Sequence, residues 1–324
     1  MCETVGFRSG NYDLPEYDEV SVPTTRFAKR GEAPFKQPRI CILTKQHKYQ
    51  PDKTGNLHNM DDLREFAKVC EQAVRRAGAT ILDWVGRFEV YKKGPSDLVT
   101  QADLAAQEAV RSTVLEAFPD HGFVGEEGPT SGAEVPSGYR WIVDPLDGTT
   151  NYAHGVPHFA VSLALERQGE ILVGAIFDPN RGEYYMAIRG QGATLNGKPL
   201  KTSGVLDLAD AIGAVGFPYD LRPDSPDLLV FNTAVFRCQS VRRTGCTSLN
   251  LAYLAAGRFD VYWAYGTHIW DVAAGVLLIR EAGGVVTAPD GGPFDIRDAK
   301  LLAAATEPLH AQLRQMAAEA LAGR

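Results

Sequence analysis

Leu63, Phe66, Cys70, Val74, Ala77 and Ile81 fall three or four residues apart, a spacing that predicts an amphipathic helix over 61–86 with one apolar stripe. A second stripe, Ala106, Val110, Val114 and Phe118, predicts a helix over 103–118. Short apolar runs then replace the helical period. They predict strands near 122–124, 139–144, 158–166, 170–178 and 183–188, and the short connections of the last set make it an antiparallel meander. Further on, strand and helix alternate: a strand at 259–263, a helix at 271–282 carrying Val272 through Ile279, a strand at 284–287, and a final helix marked by Leu309, Leu313, Met316 and Leu321. This order predicts layers of helix and sheet, an α/β (α+β) protein, and the meander argues against a simple doubly wound sheet. Residues 192–199 nearly form a phosphate-binding P-loop. However, Pro199 stands where Ser or Thr would hold Mg²⁺, and Asn196-Gly197 is a favoured hairpin pair.

Residues 1–59 break the pattern. They are polar and rich in Pro, Lys and Thr, with one strand-like island at 40–43, so they are expected to form a disordered or loosely attached arm before a domain at 60–324. Met60 stands just before the first helical stripe, and a translation start there is an alternative to a functional extension. Every candidate ligand lies after residue 90, so the arm is expected to be dispensable for chemistry.

Composition narrows the class. With 324 residues and 44% apolar content the chain can bury a large core. Its net charge of −7 argues against nucleic acid as the main ligand. No run approaches the roughly 20 apolar residues of a membrane span, and the first 30 residues lack the apolar core of a secretory signal. Five cysteines without a Cys-x-x-Cys pair point to reduced thiols in a cytoplasm.

The strongest chemical signal lies at 141–151. An apolar run, Trp141, Ile142 and Val143, leads into Asp144 and Asp147 and then into Gly148-Thr149 at a helix-type start. A strand end and tight turn can converge both carboxylates and the Leu146 carbonyl on one point, offering hard oxygens suited to Mg²⁺. The Gly148 and Thr149 amides would then face an anion at the helix N-terminus, giving a metal-assisted phosphoryl site. A calcium loop of the EF-hand type misfits at Pro145, Leu146, Gly148, Thr149 and Gly155. An aspartyl-phosphate nucleophile lacks its partner acid, because Leu146 sits two residues on. A solvated Asp-Gly turn is the plain structural alternative.

Other acids stand at similar places. Glu126 and Glu127 follow the apolar stretch 122–124 between two glycines; adjacent acids repel, and a metal relieves that. By itself Asp271 reads as a helix cap, and Asp103 as a first-turn helix acid. His154, His158 and His268 lie near these motifs but suit softer ions, so hydrogen-bonded or core roles fit them better. No Gly-x-Ser-x-Gly elbow occurs.

In order and spacing, 97–103, Gly125-Glu126-Glu127, 141–151 and Trp270-Asp271 followed by Gly283-Gly284 resemble the inositol monophosphatase family. The resemblance covers roughly residues 60–324 and implies a layered αβαβα sandwich of the inositol monophosphatase and fructose-1,6-bisphosphatase type. It implies that Glu126, Asp144, the Leu146 carbonyl, Asp147 and Asp271 hold two or three Mg²⁺ ions. Glu127 would orient a metal-bound water, Asp103 with the Thr149 hydroxyl would position and deprotonate it, and the Gly148 and Thr149 amides would hold phosphate. Lys92 falls where the family often has a basic residue. The implied protein is a lithium-sensitive homodimer that hydrolyses a small phosphomonoester by direct in-line attack.

On the substrate side the resemblance points to Thr247, Ala264, Tyr265 and Lys92. At Ala264 many inositol-hydrolysing members carry a glutamate that bonds ring hydroxyls, so weak discrimination among esters is expected here. Inositol 1-phosphate is the first expected substrate, with fructose-1,6-bisphosphate and histidinol phosphate as alternatives. A regulatory binding protein that uses the fold without turnover is the alternative of another class.

Overall fold

In the computed structural model of the chain, residues 18–20, 60–94, 97–128 and 136–322 are described. The N-terminal extension supplies β1 (Asp18–Val20), followed by α1 (Met60–Trp84), the hairpin of β2 (Val90–Lys92) and β3 (Leu98–Thr100), and α2 (Gln101–Ala117). Next come β4 (Gly122–Gly125), β5 (Tyr139–Asp147) and the short α3 (Thr149–Ala153). The meander is β6 (Ala160–Arg167), β7 (Glu170–Asp178), β8 (Glu183–Ile188), β9 (Gly192–Leu195) and β10 (Lys198–Pro199). The C-terminal part alternates β11 (Ile212–Val215), α4 (Pro226–Arg237), β12 (Ser240–Arg242), α5 (Thr247–Ala255), β13 (Val261–Ala264) and α6 (Ile269–Glu281). It ends with β14 (Val285–Thr287), β15 (Leu301–Ala304) and α7 (Glu307–Ala322).

A seven-stranded sheet runs β10-β9-β8-β7-β6-β5-β4, antiparallel except for the parallel β4–β5 pair. A five-stranded sheet runs β12-β11-β13-β15-β14. Helices α1 and α2 cover one face of the larger sheet, α5 and α6 fill the space between the sheets, and α4 and α7 close the outer face of the smaller one. This is the expected αβαβα sandwich. Because both faces of the larger sheet are covered, β6 and β7 are buried along nearly their whole length, which is why they read as unbroken apolar runs.

The stripe Leu63, Phe66, Cys70, Val74, Ala77 and Ile81 is buried as its spacing predicts, packed with Leu163, Leu165 and Val173 of the sheet. Residues 192–199 form the expected hairpin, with Asn196 and Gly197 at φ 49° and 77°, the left-handed pair of a tight two-residue turn. Cys70, Cys238 and Cys246 are free and buried. Among the described residues no helix is long and apolar enough to cross a membrane. The island at 40–43 lies outside the described residues, whereas β1, which shows no apolar pattern in sequence, pairs with β2.

The two helical layers grip the larger sheet closely. A Cβ on Gly174 of β7 would lie 2.9 Å from the Ala274 Cα and 3.0 Å from its carbonyl oxygen on α6, and backbone cannot swing aside as a side chain can. Gly174→Ala is therefore expected to cost about 1–3 kcal/mol by overpacking, read as a fall in thermal midpoint. An unchanged midpoint would mean that α6 can back away from the sheet freely.

Candidate active site

The site begins with an irregularity in β5. Asp144 pairs with Ser162 and Asp147 with Ala160, so three steps on β5 span two on β6. Pro145, which has no N–H to give the ladder, lies inside that step. In a regular strand, positions three apart face opposite sides; one extra residue brings Asp144 and Asp147 to the same side. From sequence the strand is expected to end near 144, yet the bulged strand continues to Asp147. Gly148 follows at φ 97°, where a Cβ would meet the His158 carbonyl oxygen at 3.0 Å and that of Gly245 at 3.3 Å. Only glycine fits this turn into α3. Because α3 has five residues, the expected anion site there rests on individual amides more than on a helix dipole.

Each neighbouring acid is tied to a different element. Asp103 caps α2: its Oδ2 accepts from the Thr100 amide at 2.8 Å and the Thr100 hydroxyl at 2.6 Å. Its Oδ1 lies 3.0 Å from the Thr149 hydroxyl, so the first-turn-acid and functional readings describe one residue. That hydroxyl is also 3.0 Å from the Leu146 carbonyl and can give its single proton to only one of the two. Asp147 is fastened to the start of α5 by the Ser248 amide, the Thr247 amide at 3.2 Å and the Cys246 thiol at 3.2 Å. Asp271 accepts from the His268 amide at 2.8 Å at the start of α6. Glu126 and Glu127 follow β4, which pairs parallel with β5 and ends at Gly125 beside Val143, the residue before Asp144.

Burial is the first cause that raises the carboxyl groups here. Asp144 is held well above the usual range by burial and then by Glu126, Asp147 and Asp271. Asp271 is raised likewise, by burial and then by Asp147 and Glu126. These mutual repulsions place the four acids in one cluster. Asp103 is pushed up to about 7 by burial and Glu126, against the pull of Thr100. Glu127 is pushed up to about 8 by burial and by the charges of Asp103 and Glu126. Asp147 is also raised by burial, although its donors at 246–248 pull the other way.

One ammonium enters this cluster. Lys93 Nζ lies 2.9 Å from Glu126, 2.8 Å from Glu127 and 3.8 Å from Asp97. Burial works against its charge, but the two glutamates outweigh burial and keep it protonated. The donor set is otherwise all hard oxygen and strongly anionic, which fits Mg²⁺. Among the described residues no three acidic, His or Cys side chains already surround one point as a finished metal cage. Glu126 spends an oxygen on Lys93, and Asp147 spends both on α5.

The expected substrate-side residues lie in different surroundings. Lys92 is exposed and Lys93 is the lysine that reaches the acids, because neighbouring residues leave the backbone in different directions and only one can point inward. Ala264 is fully buried against the helices between the sheets. Tyr265 packs towards the α4–α7 core, its amide bonded to Asp227. Thr247, by contrast, stands at the cluster through its amide. Tyr219 escaped sequence reasoning. Half of the residue is exposed, yet its phenol is raised, first by burial and then by the charges of Glu126, Asp97, Asp271 and Asp144. It lies in an aperiodic loop with no motif to mark it.

A pH signature follows from the raised carboxyls. Asp103 and Glu127 hold protons to about 7 and 8 when folded, whereas unfolded carboxyls ionise near pH 4. Between those limits the folded state binds more protons, so the stability these groups contribute is present at the acid end and lost as pH rises through the folded values. In a chelator, the thermal midpoint should fall from about pH 5 to about pH 8, and added Mg²⁺ should reverse the loss at the alkaline end. A metal-free midpoint that stays level or rises across this range would contradict the buried cluster.

Comparison with known proteins agrees with this geometry. Residues 62–322 match the inositol monophosphatase family. The chain is 46% identical over 232 residues to an inositol-1-monophosphatase of Rhizobium meliloti, spanning 69% of this chain and 85% of that protein. It is 41% identical over 232 residues to the Nus factor SuhB of Pseudomonas aeruginosa, spanning 69% and 86%. The solved extragenic suppressor protein SuhB of Bartonella henselae superposes with a TM-score of 0.74 at 39% identity, covering 78% of this chain and 98% of that one. An inositol monophosphatase from Anabaena gives 0.72 at 37%, covering 80% and 97%. The match along most of the chain, the shared sandwich and the acids at its strand and helix ends lead to one conclusion: this chain belongs to the inositol monophosphatase family.

Proposed function

We propose that the chain hydrolyses a small phosphomonoester, with inositol 1-phosphate the first candidate, and that Glu126, Asp144, the Leu146 carbonyl, Asp147 and Asp271 hold two or three Mg²⁺ ions for the purpose. The observation that carries this reading is the Thr149 hydroxyl, 3.0 Å from the buried Asp103 and beside the acidic cluster. Bound Mg²⁺ would supply charge neutralisation and Lewis acidity towards the phosphoryl group. The chain's own groups do the rest. The Gly148 and Thr149 amides would hold phosphate oxygens. Thr149 would accept the proton of the attacking water while passing its own to Asp103, whose raised affinity suits that task. Glu127, held by Lys93, would fix the direction of attack.

Relatives named Nus factor SuhB support a second reading, a binding protein without turnover. The intact Asp103–Thr149 contact favours turnover, since binding alone has no use for a proton path. A lithium-sensitive cytoplasmic homodimer also fits the family reading. Val235 and Phe236, 47% and 88% exposed on α4, offer an apolar patch to a second copy.

Phosphate release from inositol 1-phosphate, fructose-1,6-bisphosphate and histidinol phosphate, with and without Mg²⁺, tests the proposal. Mg²⁺-dependent release from at least one ester is expected, with weak preference among them because the groups proposed to hold the substrate address only the phosphate common to all three. Release from none would favour the binding reading. Asp147→Asn removes a charge where transition-state charge must be met, and turnover should fall by at least about 10²-fold. A variant with full turnover at low Mg²⁺ would remove Asp147 from the metal set.

A further inference from the structure

The hairpin that delivers Lys93 is a slight structure. β2 and β3 pair over three residues each, and the turn beyond them is closed by the Lys93 amide donating to the Asp97 carbonyl at 2.9 Å. A two-stranded ladder of this size is marginal in water. β1 pairs along the other edge of β2, Asp18 with Lys92, Glu19 with Tyr91 and Val20 with Val90. The result is a three-stranded sheet with β2 in the middle. The family match starts at residue 62, so β1 comes from chain outside the shared domain.

We infer that β1 of the N-terminal extension is a positioning strand, which completes the β1-β2-β3 sheet and so sets the hold of Lys93 on Glu126 and Glu127. The inference rests on reading this site as a Mg²⁺-dependent phosphatase centre. Lys93 follows directly on the residue paired with Asp18, so slack in that ladder reaches its backbone at once. Its ammonium bridges the two glutamates at 2.9 and 2.8 Å, and little of the side chain is exposed. When the hairpin loosens, two effects of opposite sign follow. Glu127 loses the donor that aims it, which lowers kcat. Glu126 loses a competing cation, which strengthens Mg²⁺ binding. General loss of structure would weaken both. On this inference the extension contributes to the chemistry, against the expectation drawn from its composition.

The test uses the full-length chain. In an antiparallel ladder alternate residues direct their N–H to the partner, so Glu19→Pro together with Val20→Pro must remove at least one bond to β2. Glu19→Thr with Val20→Ile, both strand formers, is the conservative control. Hydrogen exchange at 90–92, Mg²⁺ affinity by calorimetry and kcat are read in the native and Lys93→Met backgrounds. The proline pair should speed exchange at 90–92 by about tenfold or more and tighten Mg²⁺ binding by about threefold or more while kcat falls. The control should behave as the wild type. In the Lys93→Met background the proline pair should leave Mg²⁺ affinity unchanged, because the two changes act through one group. Unchanged exchange, weaker Mg²⁺ binding, or an equal effect in both backgrounds would overturn the inference. A wild type that binds no Mg²⁺ would instead overturn the proposed function, with exchange at 90–92 still deciding whether β1 holds the hairpin.

Discussion

Buried negative charge with, among the described residues, too little positive charge beside it is the constraint on which this structure turns. Asp103, Glu127, Asp144 and Asp147 are all buried, and Glu126 and Asp271 stand with them. Among the described residues, Lys93 is the ammonium that touches this group. Buried charges of one sign are costly unless they are protonated, paired or bound to cations, and a catalyst cannot use acids that stay protonated. The cluster therefore makes physical sense as a seat for divalent cations, with Lys93 relieving part of the repulsion.

The fold is arranged to bring those acids together from separate elements. The β5 bulge turns Asp144 and Asp147 to one side, and parallel β4 ends beside them with Glu126 and Glu127. The starts of α2 and α6 bring Asp103 and Asp271, each held by the backbone of the turn that precedes its helix. The start of α5 receives Asp147 through its amides. Helix starts serve twice, as ends that need acceptors and as mounts for carboxylates. The layers behind them provide rigidity, with α1 and α2 on one face of the large sheet and α5 and α6 on the other.

Much of this was legible in the sequence because it follows from local chemistry. The α1 stripe, the meander and the Asn196-Gly197 turn each announce themselves by spacing or by residue type, and the acids stand out through their glycines and their order. What escaped depends on long-range pairing. The choice between Lys92 and Lys93 turns on how β2 and β3 meet, which no local pattern records. Helix α5 is buried nearly all round, Ser248 and Asn250 included, because helix and sheet enclose it, so it shows no apolar stripe. Ala264 at the end of β13 and Tyr265 just after it align with a substrate-facing segment by resemblance, and they pack into two different cores. β1 carries two acids in three residues, and only its place at the edge of β2 makes it a strand.

The central claim, that the acids at the ends of β4, β5 and α6 converge to hold divalent cations, is tested most directly by anomalous scattering from crystals grown with Mn²⁺ in place of Mg²⁺. The account predicts Mn²⁺ peaks within bonding distance of Glu126, Asp144, the Leu146 carbonyl, Asp147 and Asp271, about 2.0–2.3 Å for small hard cations. Peaks elsewhere, or a saturated crystal in which these five groups bind no metal, would contradict it.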